Sequence, residues 1–103
     1  MSEQEEAFVI PKPIKWIVPD DLVSQYATNL VIQHTAHEFS ISFFELRRPV
    51  ILGSPEEQRA LVERIDSIPA ICVARIIVSP ERMEQFINAM QENLQRYRER
   101  TDL

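Results

Sequence analysis

The sequence has very little of two residue types on which local structure and chemistry depend, glycine and cysteine. Its 103 residues include one glycine and one cysteine. One glycine excludes a glycine-rich phosphate loop, because such loops need several positions that are free to adopt unusual backbone angles. One cysteine excludes an internal disulfide and is typical of a reducing compartment. No apolar run is long enough to cross a bilayer, so the sequence predicts no membrane partner.

The charge is acidic, with 11 basic and 16 acidic residues and a net charge of -5 at pH 7. This balance argues against a general affinity for phosphate backbones. Apolar residues make up 45% and charged residues 26% of the chain, as in ordinary soluble domains. The length predicts one domain over residues 7–103, with a core of marginal size. Residues 1–6 are acidic, lack the features of a signal peptide and are predicted to be disordered. We expect a bacterial, cytoplasmic protein.

Residues 7–19 combine apolar side chains with Pro11, Pro13 and Pro19. Proline removes hydrogen-bond donors from a sheet, so this segment predicts an edge strand or an extended arm. Ile14 and Trp16 share one parity and can lie on one surface. That surface belongs either to the same chain or to a second subunit.

Two alternating runs follow, at residues 26–35 and 38–46, and they predict an antiparallel hairpin. Phe44 and Leu46 break the alternation, which indicates a bulge or the end of the strand. Next, Ser54-Pro55-Glu56-Glu57 has the pattern of a helix capping box. It predicts a short helix that ends near Ser67.

Residues 70–78 are apolar at both parities and predict a central strand covered on both faces. Cys72 is expected to be a small core residue in this strand rather than a nucleophile. Arg75 is its one charge, and a charge there must be paired or reach solvent. We favour an ion pair with Glu38, with contact to a ligand or a partner as the alternative.

The last predicted element is a long amphipathic helix. Ser79 is its predicted N-cap and Pro80 its first residue. The apolar stripe either packs on the sheet of the same chain or meets a partner helix at its far end. The second alternative is considered because Met83, Met90 and Tyr97 have the seven-residue spacing of coiled coils. The stripe consists of Met83, Phe86, Ile87, Met90, Leu94 and Tyr97.

The pattern contains no catalytic constellation. His34, His37 and Glu38 are the one cluster of metal-ligand type, but the glutamate lies outside the histidine pair, unlike in the helical zinc-protease motifs. A surface turn is the favoured interpretation. The sequence therefore predicts no catalytic residue, no metal and no cofactor.

Four short motifs occur in order along the chain: Tyr26-Ala-Thr-Asn29, Glu38-Phe39 with Phe43, Arg75-Ile-Ile-Val-Ser-Pro80, and Gln91-Glu-Asn93 with Tyr97. Their order and spacing resemble the bacterial family catalogued as domain of unknown function 3467, over about residues 19–98. An extra residue in the first motif and a long segment at residues 54–67 depart from the family pattern. The resemblance implies a small, single-domain, non-enzymatic protein without an established activity. A looser likeness, at the level of fold only, is to the export chaperone SecB.

These observations predict an α+β fold: a small antiparallel sheet, a long C-terminal helix packed on one face and a short connector helix. The first functional hypothesis is a non-enzymatic homo-oligomer, dimeric or dimer-based, that binds a protein or peptide in a chaperone- or adaptor-like role. The alternatives are a nucleic-acid-associated regulator, acting through Arg47, Arg48 and Arg75, and a small metal enzyme. The candidate interface residues are Ile14, Trp16, Arg75, Met83, Met90 and Tyr97.

Overall fold

The computed structural model describes residues 11–100, and the predicted disordered N-terminus lies outside this range. Within it the chain forms three strands and two helices. In chain order these are β1 (Asn29–His34), β2 (Phe39–Leu46), α1 (Pro55–Glu63), β3 (Ala70–Val78) and α2 (Pro80–Glu99). The α+β class is therefore confirmed. Residues 11–27 form neither helix nor strand.

The three strands form one antiparallel sheet in the order β1-β2-β3. The predicted hairpin is confirmed, and its turn is closed by a hydrogen bond from the Thr35 amide to the Glu38 carbonyl at 2.9 Å. The predicted irregularity is also present between Phe43 and Phe44. The extra residue is Val73, on β3, because Ala74 lies opposite Phe43 and Cys72 lies opposite Phe44.

The position of β3 differs from the prediction of a central strand. Within the described chain it pairs with β2 alone, and so lies at an edge of the sheet. Cys72 is exposed and not buried as predicted, because neither face of β3 is covered at that point. The apolar pattern of β3 is that of a covered strand, whereas residues 11–100 leave most of it open.

The helices add little to the core. No residue of α1 or α2 is buried, and only neighbouring strands are in extensive contact among the described elements. Extensive packing of α2 on one sheet face, as predicted, is thus not found among the described elements. One residue, Ser79, separates β3 from α2.

The dimensions show how open the chain is. Its radius of gyration is 21.3 Å, against about 13 Å for a compact domain of 100 residues. Its accessible surface is 10063 Å², whereas a folded monomer of this mass, 12.0 kDa, has roughly 6,000 Å². Among the described residues the buried hydrophobic side chains are Ile41 and Val78.

Candidate interaction surfaces

The strand register sorts the side chains of the sheet into two faces, because residues directly opposite each other point to the same side. One face, called the apolar face below, contains no charged residue at the paired positions of its central region. Its central members are Leu30, Ile32, Phe39, Ile41, Phe43, Ala74, Ile76 and Val78, with His34 at one end and the pair Glu45 and Ile71 at the other. Ile41 lies at its centre, opposite Ile32 on one side and Ile76 on the other.

The apolar face is open on both sides of its centre. Ile41 is 5% exposed, while the flanking Ile32 and Ile76 are 46% and 50% exposed. Ile41 is therefore shielded by its neighbours in the sheet, and its neighbours lack a covering layer. A sheet face of this composition normally packs against another layer.

The opposite face, called the mixed face, contains Gln33, Ser40, Ser42 and Arg75. The Arg75 Nε donates a hydrogen bond to the Ser42 Oγ at 3.0 Å. Ser42 is buried and Arg75 is exposed. The bond therefore satisfies a buried hydroxyl and leaves the remaining guanidinium nitrogens towards solvent.

The predicted ion pair between Arg75 and Glu38 is wrong. Arg75 lies opposite Ser42, and Glu38 precedes that serine by four positions. Four strand residues span about 13 Å, which is too far for a direct ion pair. Between residues 11 and 100 the ion pairs are Arg47 with Glu45, at 2.9 Å, and Arg96 with Glu92, at 3.6 Å.

The apolar stripe of α2 forms the second open surface. Phe86 and Ile87 are 41% and 43% exposed, and Met90 is 60% exposed. Met83 is half-buried, and Tyr97 is largely exposed. The stripe is thus only partly shielded, mainly near its N-terminal end.

The proline-containing segment carries the third open surface. Trp16 is 84% exposed, and Ile14 is nearly as open. A turn follows, in which the Leu22 amide donates to the Pro19 carbonyl at 3.1 Å. The six predicted interface residues are accordingly not gathered into one site: they lie on this segment, on the mixed face and on α2.

A cleft of about 510 Å³ lies between the loop after β2 and the end of α1. It was missed by sequence reasoning. Its walls are mostly apolar, with one cation and one carboxylate, a composition common in sites for apolar ligands or side chains. The lining residues are Arg48, Pro49, Ile51, Val62, Ile65, Asp66, Ser67 and Ile68.

The histidine cluster has the structure of a turn. The His34 ring lies 5.4 Å from the Phe39 ring, and the His37 amide donates to the Thr35 hydroxyl. Residues 11–100 contain no group of three histidine, cysteine or carboxylate side chains arranged to hold a metal ion. In the same range, neither helix combines the length and apolar character that a membrane crossing requires.

Comparison with curated proteins and with solved structures finds no match, so the likeness to SecB receives no support. The model of one protein family, described as "Protein of unknown function (DUF3467)", matches residues 1–102. This range includes the four motifs and both sheet edges. The chain therefore belongs to the DUF3467 family, as its motifs predicted.

Proposed function

We propose that this protein is a non-enzymatic interaction module that works as a homo-oligomer, dimeric or dimer-based, and binds a protein or peptide partner. One observation carries the proposal: the described residues bury two hydrophobic side chains, Ile41 and Val78, while large apolar side chains stay exposed on the sheet, the helix and the arm. Contiguous apolar surface on a soluble protein marks a place where another molecule binds.

The pattern of β3 supports the same proposal. Its residues are apolar at both parities, which is typical of a strand with neighbours on both sides and layers on both faces. The described part of one chain supplies a neighbour on one side only. A second copy of the chain can cover or pair the free edge of β3. An edge strand of nine residues without proline is normally covered or paired.

Sedimentation equilibrium tests the assembly. We expect the mass of a dimer, or of a multiple of a dimer, at micromolar concentration. Met90→Glu places a charge within the stripe and should weaken the assembly, while Gln85→Glu, on the opposite side of α2, should not. A monomer at high concentration would refute the proposal.

The partner role depends on the proline-containing segment, where Ile14 and Trp16 lie exposed between Pro13 and Pro19. Proline limits the freedom of an extended segment, so less entropy is lost when the segment is bound. Co-purification from the native host, with mass spectrometry, should identify a partner whose yield falls for Trp16→Ser and holds for Lys15→Ser. Equal yields for the two variants would remove the arm from the proposal.

The two alternatives are separated from this proposal by simple measurements. A nucleic-acid regulator would use Arg47, Arg48 and Arg75, and Arg47 is already paired with Glu45. We expect no salt-dependent shift of DNA or RNA in a gel. We also expect no stoichiometric metal in the purified protein, whereas an enzyme using His34, His37 and Glu38 would retain it.

A further inference from the structure

The apolar face of the sheet and the apolar stripe of α2 are two surfaces that no other layer covers among residues 11–100. The sheet face leaves Ile32 and Ile76 about half exposed, and the helix leaves Ile87 and Leu94 nearly as open. A helix stripe and a sheet face are the two kinds of layer that pack together in α+β folds. The chain therefore contains both halves of a layered core without joining them.

We propose that a second copy of the chain joins them: α2 of each subunit packs on the apolar face of the other. This inference rests on the proposed function, because it requires the homo-oligomer. It adds which surfaces meet and what each contributes.

The dimensions of the two surfaces match. A helix of 20 residues is about 30 Å long, with a diameter of about 10–12 Å including side chains. The central strand β2 has eight residues and extends about 27 Å, while the outer strands lie roughly 10 Å apart. One α2 thus covers the length and the width of the apolar face.

The charges of the two surfaces are compatible. The carboxylate of the apolar face, Glu45, lies at its end, opposite Ile71, and is paired with Arg47 at 2.9 Å. The centre of the face therefore has no charge that must stay in water. The α2 segment has four acidic and three basic residues, all off the stripe. Although each chain has a net charge of -5, the helix that approaches the partner is nearly neutral, and electrostatic repulsion at the contact is small.

The area is sufficient for a stable dimer. The chain exposes roughly 4,000 Å² more surface than a compact monomer of its mass. Obligate homodimers bury about 2,000–5,000 Å² in total over both partners. A reciprocal exchange uses the apolar face and the stripe of both chains. Its two-fold symmetry closes the dimer, because each face is covered by one stripe and no face or stripe stays open.

Mixed cross-linking tests the exchange. In a Cys72→Ser background, Ile32→Cys marks the apolar face and Met90→Cys marks the stripe, one cysteine in each chain. The two variants are mixed, denatured, refolded together and treated with a short bismaleimide. We expect a cross-linked heterodimer. Two controls are matched to these variants. Gln33→Cys, on the mixed face, replaces Ile32→Cys, and Gln85→Cys, on the far side of α2, replaces Met90→Cys. Neither replacement should give the heterodimer.

The other products are informative. If the only product is a cross-link between two Met90→Cys chains, α2 pairs with α2. If the only product is a cross-link between two Ile32→Cys chains, the sheets meet face to face. Either product overturns the exchange and leaves the proposed homo-oligomer intact. A dimer without any cross-link also overturns it, and points to pairing of the β3 edges. A Cys72→Ser parent that sediments as a monomer refutes both proposals.

A second pair keeps the test independent of one substitution. If Ile32→Cys or Met90→Cys fails to refold, as judged by circular dichroism, Leu30→Cys and Leu94→Cys replace them on the same two surfaces. Leu30 lies opposite Phe43 on the apolar face, and Leu94 follows Met90 by one helical turn. Absence of a heterodimer with this folded pair contradicts the exchange.

Discussion

Both helices start with proline and glutamate and follow an N-cap serine, but only α1 is capped by the side chain of its serine. The Ser54 Oγ accepts a hydrogen bond from the Glu57 amide at 3.2 Å, and the Glu57 carboxylate accepts one from the Ser54 amide at 3.4 Å. Ser79 makes no side-chain capping bond. The residue three positions after Ser79 is Arg82. Its side chain has no hydrogen-bond acceptor, so it cannot accept a bond from the Ser79 amide as Glu57 does from Ser54.

The difference shows that the two helices depend on different interactions. The start of α1 is held by a local network, to which Gly53 contributes its carbonyl as an acceptor for the Gln58 Nε2 at 2.9 Å. The start of α2 has ordinary backbone bonds, with the Ser79 carbonyl accepting from Arg82 and Met83. We infer that α1 is stabilised mainly within its own sequence and α2 mainly by what its stripe contacts.

The largest effect should come from the stripe of α2. Ile87→Ala should lower the free energy of unfolding by roughly 2–5 kcal/mol, because a partner that buries this side chain turns the truncation into a cavity. Urea denaturation at two protein concentrations measures it, and the wild-type midpoint should rise with concentration. Gln85→Ala is the control. If the two variants cost the same, the stripe is not buried in the assembly.

Gly53→Ala should be next, at about 1–3 kcal/mol. Gly53 has a φ of 108°, and an added Cβ would lie 3.0 Å from the Glu57 Oε2. Both the backbone and the capping box would therefore be strained. The double change Gly53→Ala with Glu57→Ala, which removes the carboxylate, should be less than additive by chemical denaturation. Full additivity would show that the substitution acts through the backbone alone.

Ser54→Ala should destabilise the protein by about 1 kcal/mol, because the first turn of α1 loses the acceptor for the Glu57 amide. Thermal melts and urea midpoints both report the change. Ser54→Thr retains the hydroxyl and serves as the matched control. A neutral Ser54→Ala would mean that the visible capping box contributes nothing in solution.

Ser79→Ala should have the smallest effect, below about 0.5 kcal/mol. Its hydroxyl makes no capping bond, so the substitution removes no interaction that α2 uses. Measured beside Ser54→Ala under the same conditions, it isolates the difference between two identical tripeptides. A loss equal to that of Ser54→Ala would show that Ser79 caps α2 after all.

Local patterns predicted the local structure. The alternation of β1 and β2, the turn between them and the capping box of α1 depend on neighbouring residues, so the sequence contains enough information to place them. The end of α1 was placed about four residues late, because Ile65 and Ile68 continue the stripe beyond Glu63, the last helical residue. The prolines of the arm were likewise enough to exclude a central strand.

The failures concern contacts between distant segments. Arg75 was assigned to Glu38 because the register between β2 and β3 was unknown, and the register instead places it beside Ser42. Likewise, β3 and the stripe of α2 have the composition of buried elements, but composition does not say which chain buries them. Sequence reasoning therefore proposed interface residues without their partners, and missed the cleft beside α1 entirely.

The uncovered edge of β3 has a consequence for how the protein fails. A nine-residue apolar edge without proline can nucleate intermolecular sheet once subunits separate. For the proposed oligomer, heating or dilution should therefore end in aggregation, and the lifetime of that assembly should depend on how fast it dissociates. Arg75, the one charge of the strand, interrupts the apolar run, which is the placement expected of a gatekeeper residue.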